Sequence, residues 1–388
     1  MDISRKTFIW SIAALVVARV IFFALFINNI PFTDMQSTWR PNFGGSYWPD
    51  EVVFFDLAKS FADFKPAVSI IYIGYSIFLA PFIYFFKAMN PVMIAKPIAL
   101  VQGVFLFSLS LVLVALIALR FFRSRKLSLI AASIFLFYPY LVYGFWNFIG
   151  HKNAIPTFQY QMWIVILSDY LSAFLVLAVF WFFIKFIEKL KSGVKPVLFW
   201  ESIVLGALSG AAGLVRPPNL AIAAFIFFFL VYRKKIKEVF VFGISVLIVY
   251  LPQLAYNAYF FGLPWRYGDV ILPAGLPQSG KSLSGMWAIP NLWLNFKHFS
   301  PHYYFLCFLA LMFFTAVIVV FGLRHLSKNN KDIVPIFAFW FVFYFLFYGM
   351  FEGSFSQLRY FLPIIPVFIY FLMAIAFYFL KRKLEKNV

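Results

Sequence analysis

The sequence has little charge and almost no cysteine. Only 12% of its 388 residues are charged and 64% are hydrophobic, whereas a soluble domain carries about a quarter charged residues. This shortage excludes a water-soluble enzyme, a disordered tail and a nucleic-acid-binding protein, despite a net charge of +19. A single cysteine, Cys307, excludes an internal disulfide and a cysteine-based metal cluster. A polytopic membrane protein remains.

Apolar runs long enough to cross a roughly 30 Å hydrocarbon core recur along the chain. They lie at about 7–30, 97–119, 128–147, 163–184, 198–215, 218–232, 239–258, 303–323, 333–350 and 360–380. Lipid cannot satisfy a free backbone amide, so these runs must be helices. The sequence therefore predicts an all-α transmembrane bundle of about 10–11 spans in a single integral membrane domain, residues 1–388. The first run is too long for a signal peptide and is predicted to stay as a span.

Lys and Arg clusters fall at every second boundary between these runs. The clusters are 5–6, 120–126, 185–195, 233–237, 324–331 and 381–386. Under the positive-inside rule they place both termini in the cytoplasm of a multi-pass protein of the plasma membrane. The outer side then holds three loops, 31–96, 148–162 and 259–302.

The apolar segment Val68–Phe86 does not fit this alternation, because counting it as a crossing would put residues 120–126 outside. Pro81 interrupts it, and Lys65 and Lys87 flank it. We predict an interfacial or re-entrant element on the outer side. An eleven-span arrangement stays open.

Acidic residues concentrate in the first outer loop, where five of the 14 lie. Asp50 and Glu51 follow Pro49, which suits the first turn of a helix, and acids there complement the positive helix end. The apolar face of this helix is predicted to contain Phe54, Leu57, Phe61 and Phe64. We expect an amphipathic helix lying on the outer leaflet. Helix capping is one interpretation of the acid pair; a catalytic base is the other, with Tyr47 and Trp48 as aromatic platforms for a polar ring.

Charged residues also stand at the predicted outer ends of later spans. Arg216 lies in a Gly-Leu-Val-Arg-Pro-Pro turn and Arg359 begins the last span. Such residues are often interfacial anchors, but guanidinium groups also match phosphate oxygens. Asp169 needs hydration or a partner at this depth, and we expect it to face the same outer cavity as these two arginines. Arg19, midway through the first span, is expected to be a paired structural residue.

Residues 275–282 spell a Walker A motif, Gly-Leu-Pro-Gln-Ser-Gly-Lys-Ser. That motif acts between a buried strand and a helix, and here Gly285 and Pro290 interrupt any following helix. We predict a flexible outer loop instead. The four histidines lack His-Glu-x-x-His spacing, and no Gly-x-Ser-x-Gly elbow occurs, so metal hydrolysis and serine catalysis find no support.

Five short motifs follow one another along the chain. They are the acidic motif Asp50-Glu51-x-x-Phe54-x-x-x-Ala58; Pro139 with Ser168-Asp169; Gly213 to Pro217; Tyr256-Asn257 with Phe261 to Pro264; and Arg359 to Pro363 with Pro366. Together these motifs resemble the GT-C glycosyltransferases, polytopic enzymes that take a sugar from a polyprenyl-phosphate carrier, such as protein O-mannosyltransferases and lipid A aminoarabinose transferases.

The resemblance implies transfer of a single sugar, a mannose-type hexose by precedent, to an acceptor hydroxyl outside the membrane, with inversion. It makes Asp50 the catalytic carboxylate with Glu51 as its neighbour, and assigns the carrier phosphate to Arg216 and Arg359. Asp169, Trp48 and Tyr47 complete the substrate site. No cofactor is required, and dependence on a divalent metal is open. The expected partners are the polyprenyl-phosphate-linked donor, a glycan, lipid or protein acceptor, and membrane lipids, with no nucleic acid.

The sequence departs from one branch of the family. The Trp-Trp-Asp-Tyr-Gly signature of oligosaccharyltransferases is absent, which argues against transfer of a preassembled glycan to asparagine. Two other functions stay open. A lipid-linked glycan flippase or transporter would carry polar residues at mid-membrane depth, where only Arg19 clearly lies. An O-antigen-type polysaccharide polymerase would use outer arginines without an acidic first loop.

Overall fold

A computed structural model gives the fold of the protein. It describes residues 2–26, 50–69, 71–148, 162–163, 165–192, 195–265, 317–326, 330–349 and 358–386. Across these ranges the chain is built from helices and contains no β-strand. The all-α architecture predicted from the apolar runs is confirmed.

The described helices follow one another closely along the chain. In order they are α1 (Arg5–Phe26), α2 (Asp50–Ala62), α3 (Ile73–Phe86), α4 (Pro91–Leu100), α5 (Phe107–Phe122), α6 (Arg125–Phe148), α7 (Ser168–Ser192), α8 (Lys195–Val215), α9 (Leu220–Tyr232), α10 (Ile236–Phe261), α11 (Val317–Leu326), α12 (Val334–Gly349) and α13 (Ile365–Lys386). A π-helix, Val101–Leu106, joins α4 to α5, and 3-10 turns at Pro217–Asn219 and Leu358–Ile364 precede α9 and α13.

Among the described residues, six helical stretches are long and apolar enough to cross a membrane. They are Arg5–Leu25, Pro91–Phe122, Arg125–Gly144, Ser168–Lys191, Ile236–Phe261 and Tyr360–Tyr378. Shorter apolar helices occupy the other predicted runs, including Phe199–Val215, Pro217–Tyr232 and Val334–Tyr348. The protein is thus a multi-pass membrane protein. The single-domain division, with outer loops at 31–96 and 259–302, stays a prediction.

The exceptional segment Val68–Phe86 forms only the short helix α3. Its 14 residues correspond to about 21 Å at 1.5 Å per residue, whereas the hydrocarbon core is about 30 Å thick. α3 packs back against α2 as a helical hairpin. Its length is therefore that of a re-entrant or interfacial element rather than of a span.

Glycines bring α8 against its neighbours at backbone contact. A Cβ on Gly206 would lie 2.5 Å from the Phe242 carbonyl oxygen of α10, and one on Gly210 would lie 2.7 Å from that of Val246. This Gly-x-x-x-Gly spacing is the usual way for membrane helices to approach closely. Gly74 likewise lets α3 approach the end of α8 closely: a Cβ at this position would lie 2.3 Å from the Leu214 carbonyl oxygen.

The end of α10 holds the segment that leads from α2 into α3. The Tyr256 hydroxyl donates to the Ala67 carbonyl (2.7 Å) and accepts from the Ser69 amide (2.8 Å). The Gln253 side chain accepts from the Ile73 amide (2.9 Å). The Tyr256 motif singled out in the sequence is therefore an anchor that fixes the α2–α3 hairpin on the bundle.

Arg19 of α1 is buried within the bundle, as expected of a paired residue. Its Nε donates to the Gly103 carbonyl in the π-helix (2.7 Å), and Nη2 donates to the Met162 carbonyl (2.6 Å). The guanidinium carbon lies 3.9 Å from the centre of the Phe107 ring. Backbone oxygens and an aromatic face, rather than a carboxylate, thus accommodate this cation.

Ion pairs link several helices at one end of the bundle, which we name the basic end. There Arg120 pairs with Glu188 (3.1 Å), and Asp332 pairs with both Lys191 (2.8 Å) and Arg233. Lys191 and Asp169 stand near opposite ends of α7, about 33 Å apart along the helix axis. The residues around Asp169 therefore belong to the other end of the bundle.

Candidate active site

Arg216 lies at the junction between α8 and the turn that starts α9. Its backbone is extended (φ −148°, ψ 111°), as expected for a residue before proline, because the proline ring disfavours the helical region there. Pro217 thus ends α8 at Val215 and turns the Arg216 side chain into the bundle, where only 3% of it is exposed.

The guanidinium group of Arg216 is held by one acid and three hydroxyls. Nη2 lies 2.7 Å from a carboxylate oxygen of Asp169, and Nε donates to the Ser168 hydroxyl at 3.1 Å. Nη1 donates to the hydroxyls of Tyr348 (3.1 Å) and Tyr344 (3.5 Å). All three nitrogens therefore have partners within the protein.

Two tyrosine rings border the same guanidinium group. Its central carbon lies 5.6 Å from the Tyr348 ring centre and 5.5 Å from that of Tyr360, within the range of cation–π attraction. The two rings stack on each other at 5.3 Å. Tyr360 belongs to the turn before α13, so the chain next to Arg359 reaches this cluster.

Sequence reasoning missed the three tyrosines, Tyr344, Tyr348 and Tyr360. A signal was present, because Tyr344 and Tyr348 stand one helical turn apart in a helix otherwise rich in phenylalanine. Hydroxyl groups at i and i+4 inside a buried apolar helix need polar partners. That spacing predicts a shared partner between the helices.

Glu51 lies on the buried face of α2. Its side chain is fully buried, together with Phe55 and Ala58, which follow at helical spacing. The hairpin is closed by the Ser76 hydroxyl, which donates to the Phe54 carbonyl (3.1 Å), and by an edge-on contact of the Phe54 and Tyr75 rings at 5.0 Å. Glu51 therefore points toward α3 and the bundle interior.

Tyr75 connects α2, the helix of Glu51, to the Arg216 cluster. Its ring contacts that of Phe54, three residues after Glu51 on α2, at a centroid distance of 5.0 Å. The Tyr75 hydroxyl accepts a hydrogen bond from the Gln102 amide (2.5 Å), which also donates to the Leu167 carbonyl (3.3 Å) just before Ser168. Two acids, one cation and several hydroxyls thus form one buried polar layer, which we name the Arg216 layer: Glu51, Tyr75, Gln102, Ser168, Asp169, Arg216, Tyr344 and Tyr348.

The outward face of α2 is solvated, as the amphipathic pattern predicts. Asp56 is exposed, and Lys59 pairs with Asp63 at 3.2 Å. Partial burial raises the pKa of the Asp56 carboxyl. Phe64, predicted to lie on the apolar face, is instead 85% exposed, because the helix ends at Ala62 and Phe64 has a positive φ of 54°.

Several predicted site residues lie outside the described part of the chain. Tyr47, Trp48 and the loop 275–282 are not described, and neither are the side chains of Asp50 and Arg359. The backbone of Asp50 does begin α2, as predicted. Among the described side chains no three His, Cys, Asp or Glu residues are grouped as metal ligands.

The structure brings together Asp169 and Arg216, two of the predicted residues, and buries a third, Glu51, on the α2–α3 hairpin. The sequence predicted that Asp169 is hydrated or paired and faces the same cavity as Arg216. Asp169 and Arg216 are paired with each other and almost wholly buried, with 1% and 3% of their side chains exposed. A buried acid beside a buried ion pair is chemically suited to exchanging an anion and accepting a proton.

Comparison with known proteins identifies the fold. No protein-family model matches the sequence, and no curated protein does. Solved structures of an oligosaccharyltransferase from Archaeoglobus fulgidus do resemble it. For the apo crystal structure the TM-score is 0.51 at 15% identity, over 97% of this chain and 52% of that one.

A second structure is that of the archaeal oligosaccharyltransferase AglB from the same organism, in complex with an inhibitory peptide and a dolichol-phosphate. Its TM-score is 0.55 at 15% identity, over 99% of this chain. This chain spans about half the length of the solved chains that it matches (52%). The likeness extends over nearly all of the present chain. The GT-C-like membrane fold predicted from the motifs is confirmed.

Proposed function

We propose that the protein is a hexosyltransferase-type membrane glycosyltransferase. It moves a single sugar, with a mannose-type hexose as first candidate, from a polyprenyl-phosphate carrier to an acceptor hydroxyl. The observation that carries this proposal is the Arg216 layer itself. The carboxylate of Glu51 is buried on the α2–α3 hairpin, whose Tyr72 hydroxyl lies 3.5 Å from that of Ser168, a partner of Arg216, in a fold that resembles an oligosaccharyltransferase.

The two ends of the bundle support the proposed side of the membrane. The basic end is cytoplasmic under the positive-inside rule, and both termini lie with it. The Arg216 layer belongs to the opposite end of α7 and therefore faces the outside of the plasma membrane. An extracytoplasmic reaction has no ATP at hand, so a lipid-linked sugar phosphate is a fitting donor.

Two observations support the donor class and the size of the transferred group. The neighbouring AglB structure contains a dolichol-phosphate, which is a polyprenyl-type phosphate. The present sequence lacks the Trp-Trp-Asp-Tyr-Gly signature, so transfer of a preassembled glycan is not proposed. The acceptor is a glycan, lipid or protein hydroxyl at the membrane surface.

The proposed reaction is a single displacement. A carboxylate of Asp50 or Glu51 takes the proton from the acceptor hydroxyl as that oxygen attacks the anomeric carbon. The bond from that carbon to the phosphate oxygen breaks, and its electron pair leaves with the polyprenyl phosphate. Arg216 and Arg359 stabilise the departing anion, and Tyr47 and Trp48 stack on the sugar. Attack from the opposite face inverts the anomeric centre.

The test uses membranes containing the protein and labelled polyprenyl-phosphate sugars. Glu51→Gln and Asp50→Asn replace each acid at constant size, and we expect at least one to lower the transfer rate by about 100-fold or more. The matched control is Asp63→Asn, which removes an exposed acid next to the same helix. Normal transfer by both variants, at wild-type abundance, refutes the assigned chemistry.

The same assay separates the rival functions. A transferase yields an acceptor with one added sugar, whereas a polymerase yields a ladder of repeats. A flippase moves the labelled lipid across sealed vesicles without consuming it. A chelator added to the same assay measures the dependence on a divalent metal, which the sequence leaves open.

A further inference from the structure

The Arg216 guanidinium is already engaged by groups of the protein. Its three nitrogens contact Asp169, Ser168, Tyr344 and Tyr348 at 2.7–3.5 Å. A phosphate group that binds these nitrogens therefore competes with these partners. The described structure thus represents a site whose cation is already neutralised from within.

The four partners are not equivalent. Ser168, Tyr344 and Tyr348 are neutral hydroxyls, which can stay in place beside an anion and even donate to it. Asp169 is the one charged partner of Arg216 among the described residues, and two anions do not share one buried guanidinium without repulsion. The carboxylate is therefore the partner that an incoming phosphate displaces.

The guanidinium itself is held in place independently of Asp169. Tyr348 and Tyr360 border it at 5.6 and 5.5 Å and stack on each other. Pro217 fixes the backbone on one side. Because these restraints come from α12, the turn before α13 and the α8–α9 turn, the cation keeps its position when the acid leaves.

We propose that Asp169 is a positioning residue that acts as an exchangeable counter-ion of Arg216. In the resting protein its carboxylate occupies the phosphate position, and the carrier phosphate displaces it on binding. After transfer, the returning carboxylate displaces the polyprenyl phosphate and so promotes its release. The inference rests on the proposed function and names the residue that controls how tightly the site holds phosphate.

A competing internal anion has a definite consequence for binding. Removing it strengthens phosphate binding, whereas removing a residue of purely structural importance weakens binding. The decisive variant is Asp169→Asn, which keeps the shape of the side chain. We expect polyprenyl phosphate without sugar to bind about tenfold more tightly, within the usual range for coupled equilibria. In turnover, KM for the donor and kcat both fall, because product release slows.

The experiment measures binding of labelled polyprenyl phosphate to the purified full-length protein in nanodiscs. Asp63→Asn is the matched control, because it removes an exposed acid at the same end of the bundle, and its affinity is expected to stay within about twofold. Weaker or equal binding by a folded Asp169→Asn variant refutes the exchange. Absence of binding by the wild type refutes the proposed function itself, so the two failures are distinguishable.

A second measurement serves if Asp169→Asn does not fold. Infrared difference spectra of the wild type labelled with ¹³C-aspartate, with and without polyprenyl phosphate, report whether an aspartate changes its partner. We expect a labelled carboxylate band that disappears in Asp169→Glu, whose carboxylate carries no label. A spectrum without such a band, at saturating ligand, contradicts the exchange.

Discussion

The two ends of the bundle use ion pairs in opposite ways. At the basic end the charged groups are largely exposed: Lys191 is 63% exposed and Asp332 22%, and Arg120 and Glu188 are 42% and 37% exposed. At the other end Asp169 and Arg216 are 1% and 3% exposed. Ion pairs between a basic and an acidic side chain thus lie near water at the basic end and inside the protein at the other end.

This difference in exposure gives the ion pairs at the two ends different effects on stability. Exposed pairs contribute about 0–1 kcal/mol each to stability, and the excess of Lys and Arg around them is the feature on which the predicted topology rests. A buried pair gives little net stability, but removing one partner leaves an uncompensated charge, at a cost of about 3–5 kcal/mol. Net stability therefore does not account for the presence of this pair.

The largest effect is expected from Arg216→Gln. The variant leaves the Asp169 carboxylate buried without its cation, and we expect a loss of about 3–5 kcal/mol in the free energy of unfolding. Lys191→Gln, the matched change at the basic end, should cost less than about 1 kcal/mol. Denaturant unfolding of both purified variants measures the difference. Equal stabilities would remove the distinction between the two ends.

Replacing both charges sharpens the same comparison. Arg216→Met combined with Asp169→Leu removes the pair without leaving an orphan charge, so most of the stability lost in Arg216→Gln should return. Sugar transfer should still be lost, because the departing phosphate no longer has Arg216 to stabilise it. An active double variant would show that the pair serves only the fold.

A smaller effect is expected from Gly74→Val. The new side chain meets the Leu214 carbonyl, 2.3 Å from the Cβ position, so α3 must move away from the end of α8. Such overpacking typically costs about 1–3 kcal/mol, and it displaces Glu51 relative to Arg216. Gly243→Val is the control, because no atom lies within 4 Å of its Cβ position. Unfolding and transfer assays on both variants test the contact.

The smallest effect concerns pH at the basic end. Hydrogen bonding to Lys191 lowers the pKa of Asp332 below its ordinary 3.8, and the charge of Arg233 adds to the effect. The stabilisation from this acid is therefore complete above the unfolded-state pKa and disappears as pH falls through the lower folded-state value. Asp332→Asn should be less stable by at most about 1 kcal/mol at pH 7. The gap in unfolding free energy should close below pH 4; a constant gap contradicts the assignment.

Much of this fold can be predicted from the sequence because lipid leaves few choices. A long apolar run must be a helix, and described helices overlap all ten predicted runs, the run 303–323 being described only from Val317 onward. The amphipathic helix beginning at Asp50 also follows from local spacing alone. Its end does not: Phe64 continues the apolar spacing, yet the chain leaves the helix at Ala62.

The site could be predicted less fully because its contacts join distant segments. Asp169 and Arg216 were both assigned to the outer boundary, but their pairing depends on how α7 packs against α8. Asp50 and Glu51 looked equivalent as neighbours, and the packing of α2 on α3 is what buries Glu51. Local periodicity in the sequence carries no information on how α7 packs against α8 or α2 against α3. The roles of these acids therefore stay predictions, which the variants test.

The buried position of Arg19 bears on how the protein is made. Its backbone partners, Gly103 and Met162, lie 84 and 143 residues further along the chain. A ribosome has therefore delivered the first helix to the bilayer well before either carbonyl exists. During that interval the cation faces the membrane at a cost of roughly 2.5–3.5 kcal/mol. Biogenesis thus begins with a marginal insertion that later helices complete.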